Sequence, residues 1–489
     1  MRKIFAAVIF LSSVFPGKAQ THPAIERFLR LPHMRGASVS IMIRDIRGDS
    51  VIYACDAERE VIPASVMKTV TTAAVLEILG ENFRYETAIM HDGQIRDSVL
   101  HGNIYIRGSG DPTTGSAATG TDRNRTFREW TTAVRNAGIR KITGAVIADE
   151  SIFDTEGISM KWLREDLGSY YGQGCYGLNV YDNRYSLFLD AGEAGSRPVI
   201  ARCEPDMPEI LFHNYLTAGN ADRDSAYITG LPYSAERYLY GMIPANRSGY
   251  RMDGDIPDPA LFLAKHFAEL LKGERIEVAG DATCHRLLMR EGKWEKRDQT
   301  VIATTYSPPL KEIVRITNHT SNNLYADALL KTAGLKYRPG EIISSFGKGI
   351  GILHEFWSGK GLDTSSLWMY DGSGLSPSDR ATAAFLCALL SYMATQSSAP
   401  EAFTESLPRA GMDGTVANML KGSALQGRTR LKSGSMSRVR ACAGYVTDGA
   451  ALYAVAILVN NFSCTQSRMK ADVEQLLLSL FGQILNNVK

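Results

Sequence analysis

The sequence predicts an α/β (α+β) chain: helices pack on a sheet built from both chain ends, and a large β-rich module is inserted between the two halves. Three observations predict it. Two β-branched apolar runs, 37–44 and 50–54, stand near the start, separated by Asp45, Arg47, Gly48 and Asp49 as in a hairpin. Three further strand-like runs, 428–431, 440–446 and 452–460, stand near the end. Between these groups, from 84 to 304, the character changes to short β-like runs such as 102–107 and 185–190, broken by many glycines, serines and asparagines.

Each element has its own warrant. Pro63 sits where helices start, and Val70, Ala73, Ala74 and Ile78 keep helical spacing until Gly80. Residues 259–271 read as an amphipathic helix, followed by a strand at 276–278 and then Gly280. Helical patterning resumes at Pro309 and runs on through Leu324, Ala326, Leu329 and Leu330. A closing helix at 466–484 gathers Leu476, Leu477, Leu480 and Phe481 on its apolar side. The expected divisions are 1–19, 20–83, 84–304 and 305–489, the third with two subdomains, in a chain of 489 residues that has room for several cores.

Composition narrows the function. Lys plus Arg number 54 against 52 Asp plus Glu, so no overall field draws the chain to nucleic acid, and none is an expected partner. Arg2 and Lys3, the apolar run 4–15, and Gly17 and Ala19 framing a cleavage point have the plan of a secretory signal ending at residue 19. No later apolar stretch approaches the roughly 20 residues of a membrane span. Cys55, Cys175, Cys203, Cys284, Cys387, Cys442 and Cys464 contain no C-x-x-C pair and no metal-ligand spacing, so neither a metal nor another cofactor is expected. A single disulfide stays open.

Three short motifs carry chemistry. Ser65-Val66-Met67-Lys68 offers a nucleophile and, one helical turn on, an amine able to take its proton. The spacing alone is weak, because Ser345 to Lys348 and Ser467 to Lys470 repeat it. What separates Ser65 is its place at a helix start, where free backbone N–H groups favour an oxyanion, and the partners that follow. Ser321-Asn322-Asn323 can relay a proton through Ser321 and hold a substrate amide through Asn323, although such residues also cap helices for structural reasons alone. Lys432-Ser433-Gly434-Ser435 can grip a terminal carboxylate, with Gly434 letting a substrate backbone come close; a charged turn is the plain alternative. Ser-x-x-Lys, Ser-x-Asn and Lys-Ser/Thr-Gly in this order form the set of penicillin-binding proteins and class A β-lactamases. The glycine-rich pieces 108–112 and 347–351 lack a phosphate-loop ending and read as turns. His319 has no ordered triad partners and reads as a structural or rim residue.

Beyond the triplet, Arg107-Gly108-Ser109-Gly110-Asp111-Pro112, Ser307-Pro308-Pro309-Leu310, Asp371-Gly372-Ser373-Gly374-Leu375-Ser376 and the segment from Leu407 to Thr415 complete a set of landmarks over nearly the whole mature chain. With them the sequence resembles the class C low-molecular-mass penicillin-binding proteins, the D-alanyl-D-alanine carboxypeptidase/endopeptidases of penicillin-binding protein 4 type. The resemblance implies a serine β-lactamase/penicillin-binding transpeptidase-like α/β sandwich, with 20–83 and 305–489 as two segments of the penicillin-binding domain. It implies an exported, periplasmic enzyme acting on peptidoglycan peptides and acylated by β-lactam antibiotics. It also implies that Trp162, Glu165 and Tyr170 approach the cleft and read a peptide side chain. Backbone N–H groups of Ser65 and Ser435 are the expected oxyanion hole. Two departures stand out: Lys-Ser-Gly replaces Lys-Thr-Gly, and Pro377 stands where relatives often carry a basic residue, with Arg380 or Arg409 as possible compensation. The rival readings are a serine β-lactamase, disfavoured by the long insertion, and a non-catalytic wall-binding scaffold, disfavoured by three intact motifs.

Overall fold

Alternation of side chains explains the central sheet. Along the strand Ala451–Asn460, Ala454, Ala456 and Leu458 join one core while Val455, Ile457 and Val459 join another. In the computed structural model, which describes residues 22–222, 224–338, 343–449 and 451–486, this strand is the centre of a five-stranded antiparallel sheet. Its order is Ser50–Cys55, Ser38–Asp45, Ala451–Asn460, Val439–Asp448, Thr429–Met436. Both chain ends therefore build one sheet. The proposed secretory signal lies outside the described residues.

One face packs on the helices Met67–Leu79, Leu310–Thr320, Asn323–Gly334, Ser345–Gly359 and Ala383–Thr395. The other packs on Pro23–Leu29 and the closing helix Gln466–Asn486, where Leu476, Leu477, Leu480 and Phe481 are all buried as their spacing requires. From Val66 to Leu76 every side chain is buried, so Met67–Leu79 is an interior helix rather than a surface one.

Between the two halves, strand Glu86–His91 pairs antiparallel with Thr300–Tyr306, bringing the two ends of the intervening segment side by side. A separate core, drawn from residues Ile89 to Cys284 and including Trp130, Leu187, Leu239 and Phe267, fills the space beneath its sheets.

One helix ends at Thr320, Ser321 adopts φ 56°, and Asn322 caps the next, Asn323–Gly334, by accepting from Tyr325 N at 3.3 Å, so Ser321-Asn322-Asn323 stands at a helix start as its residue types suggest. One expectation needs correction. Glycines 347–351 are not a turn but lie inside the helix Ser345–Gly359. There a Cβ on Gly349 would stand 2.6 Å from Leu330 O, so the glycine serves close helix packing.

Candidate active site

The nucleophile candidate is presented by a kink. Ala64–Val66 forms a 3-10 turn that passes directly into Met67–Leu79, and Ala64 takes φ 46°, a left-handed strain of the order of 1–2 kcal/mol for a residue with a Cβ. Ser65 comes out half-buried while Lys68, three residues on, is wholly buried.

Lys68 Nζ has three neighbours: Ser65 Oγ at 3.1 Å, Asn323 Oδ1 at 2.6 Å and the Ser373 carbonyl at 2.6 Å. Burial lowers its pKa to about 8, against the opposing pull of Asp327, Asp371 and Asp379. An uncharged lysine has two hydrogens and one lone pair. Since the amide and backbone carbonyl oxygens only accept, both hydrogens go to them and the lone pair faces the Ser65 hydroxyl.

The support beneath Lys68 is a chain of contacts. Ser373 belongs to a loop wound around the Asp371 carboxylate, which accepts from Ser373 N (2.9 Å), Gly374 N (2.6 Å), Ser376 N (2.8 Å) and the Trp162 indole N–H (2.7 Å). A Cβ on Gly374 would lie 2.0 Å from Ala64 O, so this loop also abuts the strained turn. Asp327 and Asp379 are pushed well up, first by burial and then by the Asp371 charge.

On the opposite wall, Lys432 lies within the edge strand Thr429–Met436, not in a turn after it. Its buried Nζ donates to Ser321 Oγ at 2.9 Å and to the Ser433 carbonyl at 2.7 Å. Burial, then Lys68, then Arg440 hold its pKa well below the usual lysine range. Among the described residues it has no carboxylate partner. Ser433 Oγ stands 3.0 Å from Thr415 Oγ1 on the exposed side. The glycine of this motif has a different reason from the expected one: a Cβ on Gly434 would come within 2.8 Å of Pro63 O and 3.0 Å of Ser65 N. Its bareness lets the edge strand lie against the turn that carries Ser65.

These elements surround a cleft of about 580 Å³ lined by, among others, Ser65, Ser321, Asn323, Pro377, Ser435 and Met436. Its remaining wall comes from the 84–304 segment. Glu165 and Tyr170 line it; Trp162 does not, being buried beneath and bonded to Asp371. Tyr171 supplies a carbonyl that accepts from Asn323 Nδ2 at 2.8 Å, fixing which way the amide faces. Arg380 does not fill the place left by Pro377, because its guanidinium donates to the carbonyls of Pro377 and Asp379. Arg409 is engaged with Asp413 at 3.0 Å. The cation that does line the cleft is Arg184, which sequence reasoning missed; its guanidinium carbon sits 5.4 Å from the Tyr170 ring centre. No motif marks it. His319 lies 3.9 Å from Asp413, and burial lowers its pKa.

The chain is similar to known proteins over most of its length. Over 465 residues the chain is 28% identical to a D-alanyl-D-alanine carboxypeptidase of Actinomadura sp. (strain R39), covering 90% of this chain and 80% of that one. The crystal structure of penicillin binding protein 4 from Haemophilus influenzae superposes with a TM-score of 0.80 at 21% identity, over 94% of this chain and 99% of that one. The same protein complexed with a novel beta-lactam gives 0.76 at 20% identity, over 95% and 100%. At these identities the two crystal structures speak for the fold alone. The match to the family described as D-Ala-D-Ala carboxypeptidase 3 (S13) runs from residue 22 to 479, from the first described helix into the last, and so the chain belongs to that family of serine peptidases.

Proposed function

We propose that the chain hydrolyses D-alanyl-D-alanine-type bonds of peptidoglycan stem peptides, as carboxypeptidase or endopeptidase, through an acyl-enzyme on Ser65. The observation that carries this reading is the Lys68 amine 3.1 Å from Ser65 Oγ, held by two oxygens that can only accept. Ser65 Oγ attacks the carbonyl carbon as its proton passes to Lys68. The developing oxyanion is taken by the N–H groups of Ser65 and Ser435, where one donor contributes about 2.7–4 kcal/mol in related chemistry. As the C–N bond breaks, Ser321 gives its proton to the departing amine and regains one from Lys432 Nζ. Water then attacks the ester, its proton passing by way of Ser321 to the neutral Lys432, while Lys68 returns a proton to the Ser65 oxygen, which leaves as an alcohol; both lysines thereby regain their resting protonation.

Lys432 and Ser433 hold the substrate's terminal carboxylate, the anion that the buried cation lacks. Asn323 uses its second Nδ2 hydrogen on the substrate backbone. Glu165, Tyr170 and Arg184 form the side-chain pocket, with Trp162 as a positioning residue. Penicillins acylate the same serine and leave slowly. Residues 84–304 act as an inserted module, and residues 1–19 direct export to the periplasm. No described helix is long and apolar enough to cross a membrane.

Ser65→Ala should abolish both release of D-alanine from wall peptides and labelling by a fluorescent penicillin. Labelling that survives in the mutant would mean that another nucleophile does the work.

A further inference from the structure

We propose that His33, Cys464 and Asp472 form a binding site for a divalent transition metal of zinc type, clamping the N-terminal segment to the C-terminal helix on the face of the sheet away from the cleft. His33 lies in the short turn Pro32–Met34 that follows the first helix. Cys464 lies between the central strand and the closing helix Gln466–Asn486, which carries Asp472. One ligand atom from each residue falls within 4.8 Å of the other two, and all three residues are half-buried. Cysteine spacing could not disclose this, because the nitrogen donor comes from the other end of the chain.

The donor set chooses the metal. Imidazole nitrogen, thiolate and carboxylate suit zinc, whereas calcium and magnesium take oxygen donors almost alone. With Zn–N and Zn–O near 2.0 Å and Zn–S near 2.3 Å, tetrahedral ligand atoms stand about 3.3–3.6 Å apart, so the trio has to adjust by no more than about 1–1.5 Å. A thiolate and a carboxylate together balance a double positive charge. The fourth position is left to water.

The contacts already present fit a metal better than a plain ion pair. His33 Nε2 is 2.8 Å from Asp472 Oδ2, yet this buried nitrogen has no aligned hydrogen-bond partner, so the two atoms converge without a proper N–H···O bond. Ser463 N donates to His33 O at 3.0 Å, locking the two loops in register beside the site. Arg468 Nε donates to both Asp472 oxygens at 3.1 Å, orienting the carboxylate. Its charge also opposes a cation, which limits affinity without removing the donors. On binding, the Cys464 S–H bond breaks, its proton goes to water, and the sulfur lone pair forms the metal bond; no electron is transferred.

The test uses the full chain with its thiols reduced and metals stripped by chelation. Titration with cobalt(II) should saturate at one equivalent with an intense sulfur-to-cobalt charge-transfer band, and zinc should displace it. Cys464→Ser should abolish the band, and Asp472→Asn should weaken zinc binding by about tenfold or more. Penicillin labelling in both variants should match the parent, reporting an intact fold. A labelling-competent parent without the band, or a band that persists in Cys464→Ser, overturns the proposal.

Discussion

At the scale of single residues, Lys68 is the base of the proposed mechanism because its surroundings leave one direction for its lone pair. Only the uncharged amine is a base. Burial lowers the pKa from the ordinary 10.5 to about 8, which brings a sizeable neutral fraction into the neutral-to-alkaline range. The sign follows: protonating Lys68 removes the base, so Ser65 acylation should climb about tenfold per pH unit below that value and level off above it. Stopped-flow acylation by a chromogenic β-lactam across pH 6 to about 10 reads this directly. A flat profile would show that Lys68 does not accept the proton. The contact between Ser65 and Lys68 was legible in the sequence because three residues along a helix start is a local relation. Arg184 was not, since its place on the cleft depends on how the chain folds back to set the guanidinium over the Tyr170 ring, which no residue pattern announces.

At the scale of elements, the strand Thr429–Met436 and the turn Ala64–Val66 work as one surface, and Gly434 is the point where they touch. Gly434→Ala adds a Cβ within 2.8 Å of Pro63 O, 3.0 Å of Ser65 N and 3.1 Å of Val66 N, all backbone atoms that cannot rotate away. The strand has to move outward, separating the Ser435 N–H from that of Ser65. Misplacement of about 1 Å costs on the order of a hundredfold in rate, so acylation should fall by about that much while the thermal midpoint changes by only a few degrees. An unchanged acylation rate would rule out the shared oxyanion hole. The strands at both ends were readable from alternation, as was the buried face of the closing helix. The helix start at Ser321-Asn322-Asn323 was readable as well, since serine and asparagine favour a cap; what local pattern could not give is the αL conformation of Ser321 that joins the two helices. The glycines of 347–351 misled for another reason: Gly349 packs against Leu330 on another helix and Gly351 against Tyr337, tertiary contacts that override turn propensity.

At the scale of the whole molecule, the 84–304 segment is tied to the helices behind the cleft at several points. Lys331, fully buried, donates to the Cys175 carbonyl at 2.9 Å and to that of Glu156 at 2.5 Å, while Asp154 accepts from Ser345 Oγ at 2.9 Å. Trp162 and Tyr171 then reach Asp371 and Asn323. These contacts hold the outer wall of the cleft against the helices behind it. Glu165 and Arg184 face that wall with no ion-pair partner among the described residues, and Arg184 Nε is buried without an acceptor. A peptide side chain ending in a carboxylate would satisfy the guanidinium, a bond to a charged group contributing about 1.5–3 kcal/mol. Such a contact is made equally in ground and transition states, so its loss shows in KM rather than kcat. Arg184→Ala should therefore raise KM about ten- to a hundredfold for donor peptides carrying that carboxylate, leave kcat near its original value, and leave peptides with a neutral side chain unaffected. Equal losses on both peptides would mean that Arg184 shapes the wall through Tyr170 and does not read the substrate.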